Sequence, residues 1–252
     1  MLYSDDRQYH IGVKEGEVGK YVILPGDPQR CAVIAKHLQS AVCMAQNREF
    51  VTYTGYLAGQ LVSVTSTGIG GPSAAIALEE LVRCGADTFI RVGTCGGMQQ
   101  QVHSSDLIVA TGAVRMEGTS AQYAPVEYPA VADLTVTNAL IRACTEAGYP
   151  FHTGIVHSKD SFYGQHEPDI MPVNAMLKQK WQAWIRMGCL ASEMEAAALF
   201  IVGAYLGVRV GCVLSVVANQ IRQQQGLENP VNKDAGRAIE AALHAVRLLI
   251  GA

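Results

Sequence analysis

The chain has 252 residues, of which 49% are hydrophobic and 16% charged. This composition excludes an intrinsically disordered chain, and the formal net charge of −3 at pH 7 excludes a nucleic-acid binder that works through a bulk positive field. The low charged fraction favours burial of part of the surface between subunits of a homo-oligomer.

The cysteine content and the absence of targeting features suggest a compartment. Seven cysteines are spread along the chain without a C-x-x-C pair, which argues against a disulfide framework and against a zinc finger. The first residues are polar and lack the apolar core of a signal peptide. The longest apolar stretch, near residues 196–206, is too short to span a bilayer. We therefore expect a cytoplasmic protein that binds neither membranes nor nucleic acid.

Short apolar, β-branched runs alternate with helical patterns along the chain. The predicted strands are residues 21–24, 61–65, 88–92, 107–111, 154–157 and 210–217. The predicted helices are residues 28–38, 72–84, 133–147, 193–206 and 232–249. Residues 112–132 lack a clear period and are predicted to form a long connection. The alternation predicts one α/β domain over residues 1–252, with ligands at the carboxyl ends of its strands.

The first segment that could carry chemistry follows the first predicted strand. There Gly26 lets the backbone approach a ligand, and the helix beginning at Pro28 directs its free N–H groups towards the turn. Arg30 lies in the first helical turn, so the segment suits an anion. An ordinary strand-to-helix turn with an exposed arginine is the alternative.

A second glycine-rich turn, Thr67-Gly68-Ile69-Gly70-Gly71-Pro72-Ser73, also joins a strand to a helix. It reads G-x-G-x-x-S and lacks the acidic residue after a second strand that nicotinamide-binding turns carry. The same backbone would suit a phosphate, a sugar or a close helix–strand contact.

Three charged residues, Arg91, Glu193 and Glu195, lie within or next to apolar segments and are therefore candidates for a functional site. Arg91 lies inside an apolar strand, where burial is costly unless the guanidinium meets an anion. With the hydroxyl of Thr94 and the following glycine amides it would cradle a phosphate or a carboxylate; the alternative is a pair with a buried acid. Glu193 and Glu195 precede a very apolar helix, where carboxylates favour the helix dipole and also serve as ordinary caps.

Together these segments resemble the nucleoside phosphorylase-I superfamily and, within it, the bacterial uridine phosphorylases. The resemblance runs from His10 to the C-terminal helix. Its matching segments are residues 25–30, 48–50, 66–73, 79–81, 91–97, 129–133, 160–165 and 193–195. It implies an α/β/α sandwich with a mixed central sheet. It also implies a pentosyltransferase, in which inorganic phosphate attacks C1′ of a nucleoside and releases the base and ribose 1-phosphate without a metal or cofactor.

The resemblance also implies a role for each matched residue. The phosphate would be bound by Gly26, Arg30, Arg91 and Thr94, together with Arg48 from a neighbouring subunit. The ribose would contact Met194, Glu195 and a His10 lent across a dimer, and Arg91, Glu195 and His10 would be the catalytic residues. Some relatives hold a monovalent cation such as K⁺ at a subunit interface, at the positions of Glu49, Ile69 and Ser73. The family assembles as hexamers built from three dimers.

The base-binding segment departs from the familiar bacterial pattern, Phe-Tyr-Pro-Gly-Gln followed after one residue by arginine. Phe162 and Gln165 are expected to bind the base, but one residue is missing before the glutamine and Glu167 stands in the arginine's place. An ionised carboxylate cannot donate to the uracil 4-oxygen, so another group must. Arg222 is preferred because its charge is permanent. His166 and a water molecule are the alternatives.

Uridine is the expected substrate, with deoxyuridine and thymidine as further candidates, and three other functions remain open. A purine nucleoside phosphorylase of the same fold would carry Ser-Asp after the last core strand, where this chain has Val217-Ala218-Asn219-Gln220. A nucleosidase that uses water would not need the cluster of Arg30, Arg48 and Arg91. A non-catalytic nucleoside-binding protein would keep the fold without turnover.

Overall fold

The computed structural model describes residues 7–251, which form ten strands, nine α-helices and one 3-10 turn. The strands are β1 (Tyr21–Pro25), β2 (Gln39–Asn47), β3 (Phe50–Leu57), β4 (Gln60–Thr65), β5 (Thr88–Gly97), β6 (Leu107–Met116), β7 (Ala130–Val131), β8 (Phe151–Lys159), β9 (Ala191–Glu193) and β10 (Arg209–Asn219). The helices are α1 (Pro28–Ala35), α2 (Gly71–Arg83), α3 (Ser120–Tyr123), α4 (Leu134–Glu146), α5 (Phe162–His166), α6 (Asn174–Arg186), α7 (Ala196–Leu206), α8 (Gln220–Gln224) and α9 (Gly236–Ile250).

Local sequence signals explain where several helices begin and end. The Asp27 carboxylate accepts the Gln29 N–H at 2.9 Å and caps α1, whose first residue is proline. The Asp133 carboxylate accepts the Val136 N–H at 2.9 Å and caps α4 in the same way. Helix α7 ends at Gly207, which has a left-handed φ of 70°.

The strands form one mixed sheet in which part of the pairing closes on itself. β5 pairs in parallel with β1 and β10, and β10 continues antiparallel to β6. β6, β8 and β9 pair in parallel in that order, and β9 returns antiparallel to β5. On the open side the order continues from β1 through β4 and β3 to β2. The central β5 therefore has neighbours on both sides, which places its residues deep in the molecule.

Helices cover both faces of this sheet. α2 and α7 pack on one face around a core that includes Leu78, Phe89 and Leu199. α1, α4 and α9 pack on the other face around a core that includes Ile23, Leu140 and Val246. This arrangement confirms the expected α/β/α sandwich with a mixed central sheet.

The structure also corrects parts of the predicted element map. Residues 39–57 form the hairpin of β2 and β3, and residues 174–186 form α6; neither was predicted. The stretch 112–132 is not a plain connection, because β6 continues to Met116 and α3 and β7 follow. The helix expected over 193–206 begins at Ala196, after the short strand β9.

Two further expectations concern compartment and domain. No helix among residues 7–251 is long and apolar enough to cross a membrane. The seven cysteines are unpaired. Residues 1–6 and 252 fall outside the described range. The expectation about the first residues of the chain and the two ends of the predicted domain over 1–252 concern residues that are in part outside that range.

Candidate active site

A cavity of about 900 Å³ lies where the carboxyl ends of β1, β5 and β10 meet the ends of β8 and β9. The glycine-rich turn after β4 contributes to its wall. Most of the site residues expected from the sequence line it, namely Gly26, Arg30, Glu49, Ile69, Arg91, Thr94, Phe162, Gln165, Met194 and Glu195. Segments far apart in sequence therefore converge on one cavity.

Arg91 is the central cation of the cavity wall. It lies in β5 with 4% of its surface exposed, and its Nε donates to Glu193 Oε2 at 3.1 Å. Its Nη2 forms an ion pair with Glu195. Burial acts to lower the pKa of Arg91, but the charges of Glu195 and Glu193 raise it above the ordinary value. Nη1 is buried and has no partner in the protein, so Arg91 is both paired with buried acids and left with donors for an anion.

Gly93 gives the Arg91 guanidinium its space. A Cβ at residue 93 would lie 2.8 Å from Arg91 Nη2 and 2.8 Å from Leu214 Cδ2. Because real side chains do not approach so closely, glycine is needed here for the guanidinium to fold along the strand. This explains one of the glycines in the Arg91-Val92-Gly93-Thr94 segment.

Glu193 and Glu195 join the arginine to the start of α7. The Glu193 carboxylate accepts the backbone N–H of Glu195 at 2.8 Å and of Ala196 at 2.9 Å, and it also accepts the Ser158 hydroxyl. Glu195 Oε1 accepts the N–H of Gly70 at 2.6 Å. Burial raises the pKa of Glu195, and the Arg91 charge opposes that rise. Both carboxylates are thus fixed, and Glu195 faces the cavity as a hydrogen-bond acceptor.

Another part of the cavity wall combines an aromatic ring with polar side chains, which suits a flat heterocycle. Phe162, Gln165 and His166 come from α5, and Gln220 comes from the start of α8. Gln165 Nε2 donates to Gln220 Oε1 at 3.2 Å. Desolvation, with the nearby Lys159 charge, lowers the pKa of His166, so its imidazole is neutral near pH 7.

Sequence reasoning missed two residues in this part, Lys159 and Ser192. Lys159 is 5% exposed at the end of β8, and its Nζ donates to Ser192 Oγ at 2.8 Å. Burial lowers its pKa to about 8. The signal that singled out Arg91, a cation within an apolar strand, is absent at Lys159, because β8 reads Phe-His-Thr-Gly-Ile-Val-His-Ser-Lys and is mixed in polarity.

His10 and Arg48 do not line this cavity. His10 Nδ1 lies 2.6 Å from Glu80 Oε1, and the same buried carboxylate accepts the backbone N–H of His10 and Ile11. Arg48 is exposed with a φ of 54°, which is uncommon outside glycine, and its guanidinium lies 5.8 Å from the centroid of the Tyr9 ring. Both side chains therefore lie outside the wall of their own chain's cavity, although both are near Glu49, which does line it.

Arg222, the residue expected from the sequence to donate to the base, is held by backbone carbonyls. Its Nε donates to the Glu228 carbonyl at 2.9 Å and its Nη1 to the Gln100 carbonyl at 2.8 Å. Arg222 does not line the cavity. These two hydrogen bonds link the loop after α8 to the turn after β5 and hold the guanidinium outside the cavity wall.

The three residues matched to a cation site lie close together. Ser73 Oγ donates to Glu49 Oε1 at 2.7 Å, and this hydrogen bond lowers the pKa of Glu49. Ile69 lies beside them and is 77% exposed. Within residues 7–251, no group of three or more histidine, cysteine or acidic side chains could hold a metal ion. The Glu49 carboxylate and the Ser73 hydroxyl offer oxygen ligands, which suit a hard cation.

Comparisons with known proteins agree with the resemblance seen in the sequence. The family model of the phosphorylase superfamily matches residues 20–251. The chain is 55% identical to a uridine phosphorylase of Treponema pallidum, covering 99% of this chain and 97% of that protein. It is 49% identical to a uridine phosphorylase of Thermococcus kodakarensis, covering 88% and 81%. It is 38% identical to a guanosine phosphorylase of Halorubrum lacusprofundi, covering 96% and 99%. The chain belongs to the phosphorylase superfamily.

Proposed function

We propose that the chain is a uridine phosphorylase, a pentosyltransferase that converts uridine and inorganic phosphate to uracil and ribose 1-phosphate. The observation that carries this proposal is one cavity with two chemically different ends. Arg30, Arg91 and Thr94 line an anion-binding end, and Gln165 lines a polar end that suits a base. Glu195 and Met194 lie with them in the same wall, where a ribose would connect the two.

The arrangement supports direct displacement at the sugar. A phosphate held by Arg30 and Arg91 would attack C1′ with an oxygen, while the bond from C1′ to the base nitrogen breaks and its electron pair leaves with the base. Positive charge develops on the sugar in such a transition state, so the neighbouring phosphate stabilises it. The Glu195 carboxylate would accept from ribose hydroxyls and hold the sugar in line.

His10 and Arg48 support a site shared between subunits. Neither lines the cavity of its own chain, yet Glu80 holds the His10 ring through Nδ1 and leaves Nε2 available. We infer a homo-oligomer in which these two side chains complete a neighbour's cavity, and a hexamer of three dimers is the assembly that the resemblance implies. The exposed apolar side chains Val42 and Tyr56 on the nearby hairpin would then be buried.

Mixing two inactive variants tests the shared site. Arg91→Ala disables a site through its own chain, and Arg48→Ala is expected to disable the neighbour's. Random mixed dimers would leave one intact site in each, so co-refolded protein should recover about a quarter of the wild-type rate. Absence of recovery in dimers shown by mass spectrometry to be mixed would contradict a shared site.

The remaining proposals concern a cation and the cell compartment. The Glu49 carboxylate, the Ser73 hydroxyl and the Ile69 backbone fit a monovalent cation such as K⁺, which would be held between subunits and would stabilise the assembly. The unpaired cysteines support a reducing, cytoplasmic compartment. A single nucleoside phosphorylase domain accounts for all of these features.

A purine substrate is the second candidate, because one relative is a guanosine phosphorylase. Asn219 stands where purine-specific members of the fold carry an aspartate. Its amide donates to the carbonyls of Gln99 and Val102, and its Oδ1 accepts the N–H of Ile221 and Arg222 at the start of α8. The side chain is fully buried and has no acidic proton for a purine nitrogen, which favours a pyrimidine.

A substrate panel tests the choice of base. With phosphate present, uridine should be cleaved at least about tenfold faster than inosine, guanosine or adenosine, a difference of roughly 1.4 kcal/mol. Cytidine should also be poor, because its N3 carries no proton. The measurement is the phosphate-dependent change in ultraviolet absorbance, with arsenate-free and phosphate-free controls. Faster cleavage of a purine nucleoside would overturn the uridine proposal, and cleavage without phosphate would indicate a hydrolase.

A further inference from the structure

Glu80 is a buried carboxylate to which the reaction described above gives no part. It lies near the end of α2, is 3% exposed and does not line the cavity. Its Oε2 accepts the backbone N–H of Ile11 at 2.9 Å and of His10 at 3.0 Å, and its Oε1 lies 2.6 Å from His10 Nδ1. A buried carboxylate is costly unless it is hydrogen-bonded, and these three bonds all go to the segment that carries His10.

The backbone around His10 is a closed turn rather than a free arm. The Gln8 N–H donates to the Val13 carbonyl at 2.8 Å, and the Gly12 N–H donates to the Gln8 carbonyl at 3.0 Å. From β2, Asn47 Nδ2 donates to the His10 carbonyl at 2.7 Å. The main chain of His10 is therefore fixed, and the freedom that remains is the rotation of its imidazole ring.

Two contacts remove most of that freedom. The Tyr9 ring meets the imidazole edge to face, with centroids 4.8 Å apart and planes at 88°, and Glu80 holds the ring through Nδ1. The His10 side chain stays 28% exposed. Because the two ring nitrogens lie on opposite sides of an imidazole, Nε2 points away from Glu80.

We propose that Glu80 is a positioning residue for catalysis, which fixes the ring and the tautomer of His10 so that Nε2 meets the sugar as a hydrogen-bond acceptor. This role rests on the proposed function, in which His10 completes a neighbour's cavity. It assigns a part in the reaction to a carboxylate that lies outside the cavity wall.

The hydrogen bonds of Glu80 determine the tautomer. Backbone N–H groups can only donate, and they engage both oxygens of the carboxylate, which is the arrangement of an ionised acceptor. Such a carboxylate also accepts from the imidazole, so Nδ1 of His10 carries a proton. In the neutral ring Nε2 then has a free lone pair and no proton.

Glutamine at position 80 would reverse this tautomer without changing the shape of the side chain. An amide oxygen at the place of Oε2 would still accept the N–H groups of His10 and Ile11. The amide nitrogen at the place of Oε1 would donate to Nδ1 and so move the ring proton to Nε2. Glu80→Gln therefore keeps the anchor of the turn and changes what the ring presents to a ligand.

The geometry of the nucleoside indicates which hydroxyl Nε2 would meet. Phosphate attacks C1′ from the face opposite the base, and the 2′- and 3′-hydroxyls lie on that face. Glu195, paired with Arg91, lies on the phosphate side and would accept from them. The 5′-hydroxymethyl group projects from the other face, so the 5′-hydroxyl is the donor that remains for His10 of another subunit. Holding it fixes the sugar while the bond to the base breaks.

Comparing uridine with 5′-deoxy-5′-fluorouridine tests the state of Nε2, because fluorine is close to a hydroxyl in size but has no proton to donate. Wild-type enzyme should prefer uridine by about tenfold or more in kcat/KM. Glu80→Gln should lower kcat/KM for uridine by about 5- to 30-fold. It should also reduce the preference for uridine by at least about threefold, because a protonated Nε2 no longer repels fluorine. The effect of fluorine on the reactivity of the sugar is the same in both enzymes and cancels.

A double-substitution cycle separates positioning from stability. In a His10→Ala background, Glu80→Gln should change kcat/KM by less than about twofold, whereas a purely structural role would lower activity equally in both backgrounds. Glu79→Gln alters the neighbouring carboxylate of α2, which contacts Arg83 and Tyr123, and should behave as wild type. If Glu80→Gln does not fold, as judged by melting temperature and gel filtration, Glu80→Asp takes its place in the cycle, because its carboxylate is withdrawn from Nδ1 by one carbon.

Mixed oligomers show which cavity Glu80 serves. Arg91→Ala co-refolded with Glu80→Gln should recover about a quarter of the wild-type rate, more than either variant alone, as should Arg91→Ala with His10→Ala. Recovery with His10→Ala but not with Glu80→Gln would overturn the role of Glu80, and so would equal losses from Glu80→Gln with and without His10. Recovery in neither mixture, with the coupling between Glu80 and His10 intact, would overturn only the shared site. Failure of the wild type to cleave uridine with phosphate would instead overturn the proposed function.

Discussion

Replacing Arg91 by alanine is expected to lower kcat/KM for phosphorolysis by roughly 30- to 1000-fold, or about 2–4 kcal/mol of transition-state stabilisation. The reason is the state of its guanidinium: 4% exposed, held by Glu193 and Glu195, and left with a buried Nη1 that has no partner in the protein. Phosphate is the ligand that would use this donor. The loss should therefore appear mainly as a raised KM for phosphate and a lowered kcat, with a smaller change in the KM for uridine.

A matched arginine variant and a stability measurement separate chemistry from folding. Arg142 is an exposed arginine of α4 that pairs with Glu146 and does not line the cavity, so Arg142→Ala should retain wild-type kinetics. Arg91→Ala should also melt at a lower temperature, because it leaves two buried carboxylates without their cation. Rates should accordingly be compared well below the melting transition. Near-normal turnover with an unchanged KM for phosphate would contradict the assignment of Arg91 to the phosphate end.

Arg91 also illustrates what sequence reasoning reaches. Burying a cation within an apolar strand is costly unless it meets a buried acid or a bound anion. The structure shows two buried acids beside Arg91 and an unused donor, Nη1, that an anion could accept from. The alternation of apolar runs with helical patterns is sufficient to predict the layered α/β fold, because each of the six predicted strands overlaps a strand of the sheet. Ten site residues named from the sequence line one cavity.

The strand and the helix that were not predicted, β2 and α6, lie at the surface and have weak hydrophobic patterns. Strand β2 carries no fully buried residue and α6 carries none either, so neither presents the apolar face from which a strand or a helix is recognised. Helix α6 also begins without a side-chain cap. These segments are specified by their neighbours in space, which the local sequence does not reveal.

The direction in which a side chain points likewise could not be predicted from the sequence. Arg222 lies three residues after Asn219, close to the cavity along the chain, and its permanent charge favoured it as a ligand for the base. The structure turns it towards the Glu228 and Gln100 carbonyls. Lys159 faces the cavity because β8 pairs in register with β9 and brings it to Ser192, a relation set by strands that are more than thirty residues apart.

Replacing Glu193 by alanine is expected to give the largest loss of stability of any single change in the cavity wall. Its carboxylate is fully buried and accepts from Arg91, from the Ser158 hydroxyl and from the backbone N–H groups of Glu195 and Ala196. Removing one member of a buried, hydrogen-bonded ion pair costs about 3–5 kcal/mol, because the remaining groups stay buried without a partner. The free energy of unfolding from urea titrations measures this loss.

The same substitution should also lower activity, because the start of α7 and the Arg91 guanidinium both lose their common anchor and Glu195 shifts with them. Glu193→Gln keeps the size of the side chain and two of its acceptor contacts, so it should recover part of the stability. It should recover little of the activity, because Arg91 then loses one of its two negatively charged partners. Glu146→Ala, which removes an exposed carboxylate of α4, is the matched control and should leave both properties unchanged. A Glu193→Ala enzyme as stable as the wild type would show that the Arg91 cluster is held by other contacts. One that is destabilised yet fully active below its melting transition would show that the geometry of Arg91 and Glu195 does not depend on Glu193.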